Sequence, residues 1–120
     1  MDIDREEGQA RVSAAGRLAP AEAVGLAAVA LSTAQAERLS TVLVDFRDVA
    51  LVRALSTTEC YWVGDDLARA GRGLGKVAVV ASEDCIQTHR FVFTVARNRG
   101  LLIAPFADEG EALRWLRCAN

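Results

Sequence analysis

Three short apolar runs, separated by segments of helical length, constrain the fold of this chain more than any other feature. The runs occupy residues 41–44, 76–81 and 101–104, and none of them alternates polar with apolar side chains. A continuous apolar run is typical of a strand that is covered on both faces, as in a parallel sheet. Strands that alternate with helices in this way predict an α/β fold with a largely parallel sheet.

The segment before the first of these runs predicts two more strands and a helix. Residues 2–5 and 9–14 lie on either side of a Glu-Gly turn and predict an antiparallel pair of strands. Pro20 suits the first turn of a helix, which we predict over residues 20–38. Its core-facing side chains, at the spacing of one helical face, are predicted to be Val24, Ala27, Ala28 and Leu31.

Capping residues predict where the next two helices begin. Ser56, followed three residues later by Glu59, matches a capping box and opens a second helix that ends near Gly71. Ser82 caps a third helix, which we predict to continue to Gly100. Each of these helices connects two of the apolar runs, so the chain repeats a β-α-β unit.

A fourth helix closes the chain, starting at Asp108 with Glu111 as its capping partner. The complete pattern predicts one mixed, mostly parallel sheet with an antiparallel N-terminal strand pair and about four helices. The chain has 120 residues, of which 52% are apolar, and it has no repeat and no Pro/Ser-rich linker. We therefore predict a single domain over residues 1–120.

Charge and hydropathy argue against several classes of partner. The net charge of -2 provides no basic surface for a phosphate backbone, so we expect no nucleic acid as a partner. The longest weakly polar stretch, residues 23–31, is too short to cross a bilayer, so we expect no membrane association. Residues 1–7 lack the basic flank and apolar core of a signal peptide, which predicts a cytoplasmic protein.

Residues that could carry chemistry are scattered along the chain. Cys60, Cys85 and Cys118 show no CxxC spacing and fit a reducing compartment. His89, the only histidine, follows Cys85 by one helical turn, but a zinc site needs three or four ligands. The glycine-rich segment 71–76 follows a helix and enters a strand, which is the reverse of a phosphate loop. We predict no catalytic residue, no metal and no cofactor.

The separated pair Asp45 and Asp48 occupies a position typical of ligand sites. Asp45 directly follows the apolar run at residues 41–44, and ligands of open α/β sheets bind at the carboxyl ends of strands. The two aspartates are therefore a candidate loop site. For Asp45 itself we favour a structural hydrogen bond with loop backbone over catalysis.

Two adjacent aromatic residues, Tyr61 and Trp62, lie on the second helix. Its inner face is already filled by Cys60, Val63 and Leu67. At 100° per residue both aromatics cannot lie at the centre of that face, so at least one reaches its edge or the surface. There it either anchors a protein interface or packs under a neighbouring element.

The third helix is apolar over much of its circumference. A homodimer face, or an apolar pocket between helices two and three, would both account for this pattern. The residues concerned are Phe91, Val92, Phe93 and Val95.

Two segments of the sequence resemble the STAS family, the family of anti-sigma-factor antagonists and of the cytoplasmic domains of sulfate transporters. Val44-Asp45-Phe46, followed by Val49, resembles the family's strand and the loop that leads to its regulatory helix. Residues 107–116 resemble the C-terminal helix of a divergent branch. The resemblance implies a bacterial regulatory domain that binds a protein partner.

The phosphorylation motif of that family is missing here. Members that act in partner switching carry Asp-Ser-Ser-Gly at the start of the helix after the strand, and residues 53–56 stand in its place in this chain. Ser56 or Thr57 would substitute only if the loop were longer by a residue or two, and a helix cap explains Ser56 fully.

Our leading hypothesis is a non-enzymatic regulatory or protein-interaction module. It presents Ser56, Thr57, Tyr61 and Trp62 to a protein partner. The alternative hypothesis is a carrier or sensor of a small apolar ligand held between helices two and three.

Overall fold

The fold is a five-stranded sheet with helices on both faces, in a computed structural model that describes residues 2–6 and 9–118. The strands are β1 (Asp2–Glu6), β2 (Gln9–Leu18), β3 (Thr41–Leu51), β4 (Lys76–Val80) and β5 (Ile103–Phe106). The helices are α1 (Pro20–Ala36), α2 (Thr57–Ala70), α3 (Glu83–Thr88), α4 (Arg90–Asn98) and α5 (Glu109–Arg117). The α/β class predicted from the alternating pattern is confirmed.

The strands lie in the sheet in the same order as in the chain. Strands β2 to β5 form a four-stranded parallel sheet, and β1 runs antiparallel to β2. The apolar run at residues 41–44 belongs to β3, which is the middle strand, and Val42, Leu43 and Val44 are fully buried there.

Strand β3 continues well beyond that apolar run, to Leu51. Its pairing with β2 passes from Ser13 opposite Asp45 to Ala15 opposite Asp48, so β3 contains one extra residue. Beyond such a bulge, each side chain of the strand points to the face opposite to the one that regular alternation would give it. Beyond Asp45 only β2 pairs with β3, because the pairing with β4 ends there.

The helices divide unequally between the two faces. Helices α1, α2 and α4 pack over the larger core, in which Leu31, Val44, Leu67 and Val92 are buried. Of the described helices, α5 alone packs on the other face, where its Ala112 and Leu116 form a small cluster with Leu43, Ala78 and Val80 of the sheet. Among the described helices, none is both long and apolar enough to span a bilayer.

The predicted helix caps are confirmed. The Ser56 hydroxyl oxygen accepts a hydrogen bond from the Glu59 backbone N–H at 3.1 Å, and the Ser56 N–H donates to the Glu59 carboxylate at 2.9 Å. The side chains of Ser82 and Asp108 likewise accept from the backbone N–H three residues further on. The glycine-rich segment follows α2 and enters β4, as predicted, and residues 71–75 form the connection.

The prediction of one long third helix, and with it of about four helices, is wrong. The helix breaks at His89, whose backbone dihedrals of φ -111° and ψ 22° are not helical, and α3 and α4 result. The described residues form five helices. The last strand also begins two residues later than predicted, because the Leu101 N–H donates to the Ala96 carbonyl and closes α4.

The predicted core face of α1 is displaced around the helix. Its buried side chains are Pro20, Ala23, Ala30, Leu31 and Ala34. Val24, Ala27 and Ala28 are half-buried instead. An alanine-rich helix is apolar on most sides, so the spacing alone does not determine which stripe faces the sheet.

Candidate functional site

Helix α2 exposes both of its adjacent aromatic side chains. Cys60 and Leu67 are buried against the larger core, while Tyr61 is 42% exposed and Trp62 is 61% exposed. The prediction that at least one aromatic reaches the surface is confirmed. Because neighbouring helical residues differ by 100°, the two rings leave α2 on different flanks.

Trp62 lines an open groove between α1 and α2 with a volume of about 610 Å³. The apolar part of its lining consists of Pro20, Ala21, Val24, Gly25, Ala28, Leu55, Val63 and Trp62 itself. Its four charged side chains pair with each other, Arg53 with Glu59 at 2.7 Å and Arg69 with Asp66 at 2.6 Å. The groove therefore combines an apolar lining with charges that already have partners.

Tyr61 lies on the other flank of α2, against the end of α4. Its hydroxyl oxygen accepts a hydrogen bond from Arg99, whose guanidinium also lies 5.2 Å from the Tyr61 ring centre. Arg99 in turn donates to Asp65 at 2.8 Å. Tyr61 thus ties α2 to α4, and the structure does not bring it to the same surface as Trp62.

Ser56 and Thr57 lie exposed at the start of α2, six and five residues before Trp62. The capping box occupies the Ser56 hydroxyl, as described above. Hydrogen bonds from the Arg53 side chain and the Ser56 backbone lower the pKa of Glu59 to about 2. The start of α2 therefore carries a fixed ion pair between Arg53 and an ionised Glu59.

Asp45 and Asp48 lie inside β3, so the prediction that they form a loop site is wrong in its placement. The Asp45 carboxylate accepts hydrogen bonds from the Arg47 backbone N–H at 3.1 Å and from the Arg47 guanidinium at 3.0 and 2.7 Å. Arg11 of β2 lies 3.5 Å away, and it also pairs with Glu109 at the start of α5. Asp48 is exposed on the strand.

This four-membered charge network joins the sheet to α5. The Arg47 side chain, opposed by burial, holds the pKa of Asp45 below its ordinary value. The same Asp45 raises the pKa of the Arg47 guanidinium. Arg11, Arg47 and Glu109 were not predicted from the sequence. The spacing of Asp45 and Arg47 along one strand was a signal for Arg47, but Arg11 and Glu109 belong to other elements and gave none.

Cys85 and His89 are in contact but are not arranged for nucleophilic catalysis. The His89 Nε2 accepts a hydrogen bond from the Leu55 N–H at 3.1 Å, which assigns the ring proton to Nδ1. Nδ1 then donates to the Cys85 carbonyl at 2.9 Å and has no lone pair free for the thiol 3.5 Å away. Burial also raises the pKa of the Cys85 thiol.

Comparison with known proteins adds no relative to this description. No protein-family model matches the chain, and no curated protein matches it either. Among residues 2–6 and 9–118, no three His, Cys, Asp or Glu side chains lie close enough together to hold a metal ion. The groove beside Trp62 is a largely apolar site that is open at the surface of this part of the chain.

Proposed function

We propose that this chain is a non-enzymatic protein-interaction module, resembling STAS domains, whose groove between α1 and α2 binds a partner protein. The observation that carries the proposal is the 61% exposure of Trp62 beside an apolar groove. A tryptophan side chain has a large apolar area, and together with the apolar groove lining it forms a contiguous exposed apolar patch of the kind that marks interaction sites. Tryptophan is also the residue type most enriched among interface residues that dominate binding energy.

The charges around the groove indicate which occupant fits. Arg53 and Glu59 neutralise each other, as do Asp66 and Arg69, so the groove has no unpaired charge among these four to attract an ionic ligand. A groove between two helices with an apolar lining is typical of sites that bind the apolar face of a third helix. We therefore take the occupant to be an amphipathic helix of another protein.

Ser56 and Thr57 contribute to the proposed surface through their position. Both are exposed in the first turn of α2, and Leu55, the residue before them, lines the groove. A partner helix lying along the groove toward the start of α2 would contact them. A phosphate on either hydroxyl would add negative charge beside Glu59 and change the affinity for such a partner.

The test compares two exposed aromatic side chains on the full chain. The tagged wild type, Trp62→Ala and Phe91→Ala are used to capture proteins from the native lysate, and the captured protein is purified for calorimetric titration. Phe91 is the matched control, since it is 43% exposed but lies on α4 outside the groove. We expect Trp62→Ala to weaken binding by at least about tenfold, and Phe91→Ala to leave the affinity unchanged.

Two results would contradict the proposal. Equal affinity of the wild type and Trp62→Ala for the purified partner would place the interface elsewhere on the molecule. Sedimentation showing a dimer that Trp62→Ala dissociates would identify the occupant as a second copy of this chain.

A further inference from the structure

A second site lies beneath the partner surface, between the sheet and the helices. An apolar cavity of about 110 Å³ lies between the helix-covered face of the sheet and α1, α2, α3 and α4. Side chains from the sheet on one side include Val44, Phe46 and Val79. Side chains from the helices on the other side include Ala27, Leu67, Ile86, Val92 and Phe93.

The strongest hydrogen-bonding groups among the side chains around this cavity, the two ring nitrogens of His89, are already occupied. His89 is the only lining side chain with ring nitrogens, and both are used, by the Leu55 N–H and the Cys85 carbonyl. The Cys85 thiol is a weak donor that lies beside the same imidazole. A water molecule needs two to four polar partners to be stable in a cavity, so this interior favours an apolar occupant.

The volume limits the size of that occupant. A cavity of about 150 Å³ lined by aliphatic and aromatic side chains stays dry and binds benzene or xenon. At about 110 Å³ this cavity accommodates one ring or a short branched alkyl group, with little space to spare.

The cavity also has a route to the surface. Val24, Leu55 and Val63 line both the cavity and the groove between α1 and α2. Two of them belong to helices, whereas Leu55 belongs to the connection between β3 and α2 and is held by its backbone hydrogen bond to His89. Leu55 is therefore the side chain of the three that moves with the least disturbance of regular structure.

We propose that this cavity binds a small uncharged hydrocarbon-like molecule, up to a single ring in size, and that Leu55 is the gate through which the molecule enters. Binding replaces empty space with van der Waals contacts from four helices and the sheet. The ligand needs no hydrogen-bonding group, because both His89 nitrogens are occupied and the Cys85 thiol is only a weak donor. Recognition is by size and shape.

The first experiment uses benzene as the probe and the full wild-type chain. Methyl and amide resonances are followed by NMR during titration, and contacts between benzene protons and protein methyl groups are measured at saturation. We expect saturable shifts with contacts to the methyl groups of Val44, Val79 and Val92. Shifts that do not saturate, or contacts confined to exposed side chains such as Val29, would overturn the proposal.

A cavity-filling variant tests the location. Ala27→Leu adds three carbons to a residue that lines the cavity, and Ala36→Leu adds the same three carbons to an exposed residue at the end of α1. We expect Ala27→Leu to lose benzene binding and to keep or raise the melting temperature, while Ala36→Leu binds as the wild type does. Equal binding by both variants would overturn the assignment.

A series of aromatic ligands of increasing size tests the volume of the cavity on the wild type, without any variant. Benzene should bind and naphthalene should not, and equal binding of the two would contradict the size limit.

For the gate, Leu55→Ala should speed benzene exchange by about tenfold or more through easier local opening. The control Leu102→Ala, at an exposed leucine before β5, should leave the exchange rate unchanged. An exchange rate unaffected by Leu55→Ala would reject Leu55 as the gate.

Discussion

At the scale of single residues, the two most buried charged side chains of the described chain bond to other groups of the same chain. Asp45 is buried in the middle strand and accepts three hydrogen bonds from Arg47 alone. Lys76, the only lysine of the chain, is buried as well. Asp45 was predicted as a candidate site residue, and both side chains turn out to connect the sheet with α5.

The Asp45 network predicts a pH-dependent loss of stability. The side chain of Arg47 lowers the pKa of Asp45 from its ordinary value of 3.8, against the opposing effect of burial. A lowered folded-state pKa contributes stability that is complete well above pH 3.8 and is lost as the pH falls through the folded-state value. Asp45→Asn should reduce the free energy of unfolding at pH 7 by about 2 kcal/mol, and by progressively less below pH 4.

Urea denaturation of the wild type and Asp45→Asn between pH 2 and pH 7 measures this difference. Arg47→Met should reproduce most of the loss at neutral pH, since it removes the main donor to the same carboxylate. A difference between wild type and Asp45→Asn that stays constant with pH would show that the ionised form of Asp45 is not what stabilises the fold.

Lys76 predicts a stability effect at the far end of α5. Its ammonium donates to the backbone carbonyls of Trp115 at 2.8 Å and Cys118 at 2.7 Å, where the helix dipole is negative. Lys76→Met keeps the length of the side chain but leaves these carbonyls without the cation. We expect a loss of about 2 kcal/mol in thermal or urea unfolding. Arg114→Met, an exposed change on the same helix, should stay within about 0.5 kcal/mol of the wild type.

At the scale of elements, the close approach of α2 and α4 depends on one glycine. A Cβ atom built at Gly64 would lie 2.7 Å from both the Val92 carbonyl oxygen and the Val95 Cβ. Both contacts are shorter than side chains tolerate, and the nearest atoms belong to backbone or to a branched side chain. Helix propensity favours alanine over glycine, so packing and propensity oppose each other at this position.

The pair Gly64→Ala and Gly25→Ala separates these two effects. Gly25 lies on α1 with open space around its Cβ position, so Gly25→Ala should gain about 0.5–1 kcal/mol of stability from propensity. Gly64→Ala should lose about 1–3 kcal/mol because the overpacking exceeds that gain. Denaturant midpoints measure both, and a stabilised Gly64→Ala would mean that α2 and α4 pack less closely than described.

The sequence predicted helix starts well because caps are local. Ser56, Ser82 and Asp108 each bond to a backbone group three residues away, and such short-range patterns are visible in the sequence itself. The break at His89 was not predictable in this way. It accompanies a hydrogen bond between His89 and Leu55, residues that are 34 positions apart in the chain.

The candidate sites also divide into features that depend on nearby residues, which were predictable, and features that depend on distant residues, which were not. The exposure of at least one of Tyr61 and Trp62 followed from helical geometry, because the inner face of α2 was already filled by other side chains. The pairing of Tyr61 with Arg99 did not follow, since those residues are 38 positions apart. The strand character of Asp48 was hidden as well, because β3 extends there by pairing with a β2 strand whose length no local pattern indicated.

At the scale of the whole molecule, two cores of unequal size share one sheet. The larger core is formed with three of the described helices, whereas on the opposite face α5 buries two of its own residues against three residues of the sheet. A helix that rests on a small cluster has less buried area to hold it in place. The α5 helix should therefore open without the rest of the fold.

Native-state hydrogen exchange tests this expectation. We expect the amides of α5 to exchange through an opening of lower free energy than those of α2 and α4, and Lys76→Met to lower the α5 value further. Exchange of α5 only through global unfolding would contradict it and would show that the smaller core is as cooperative as the larger one.

Each strand of the sheet lies beside the strand that precedes it in the chain. Proteins are synthesised from the N-terminus, so every new strand that emerges from the ribosome meets an edge that is already present. No strand has to be inserted between two that have already paired. The sheet is able to assemble outward during translation from β1 toward β5, and α5 then covers the second face last.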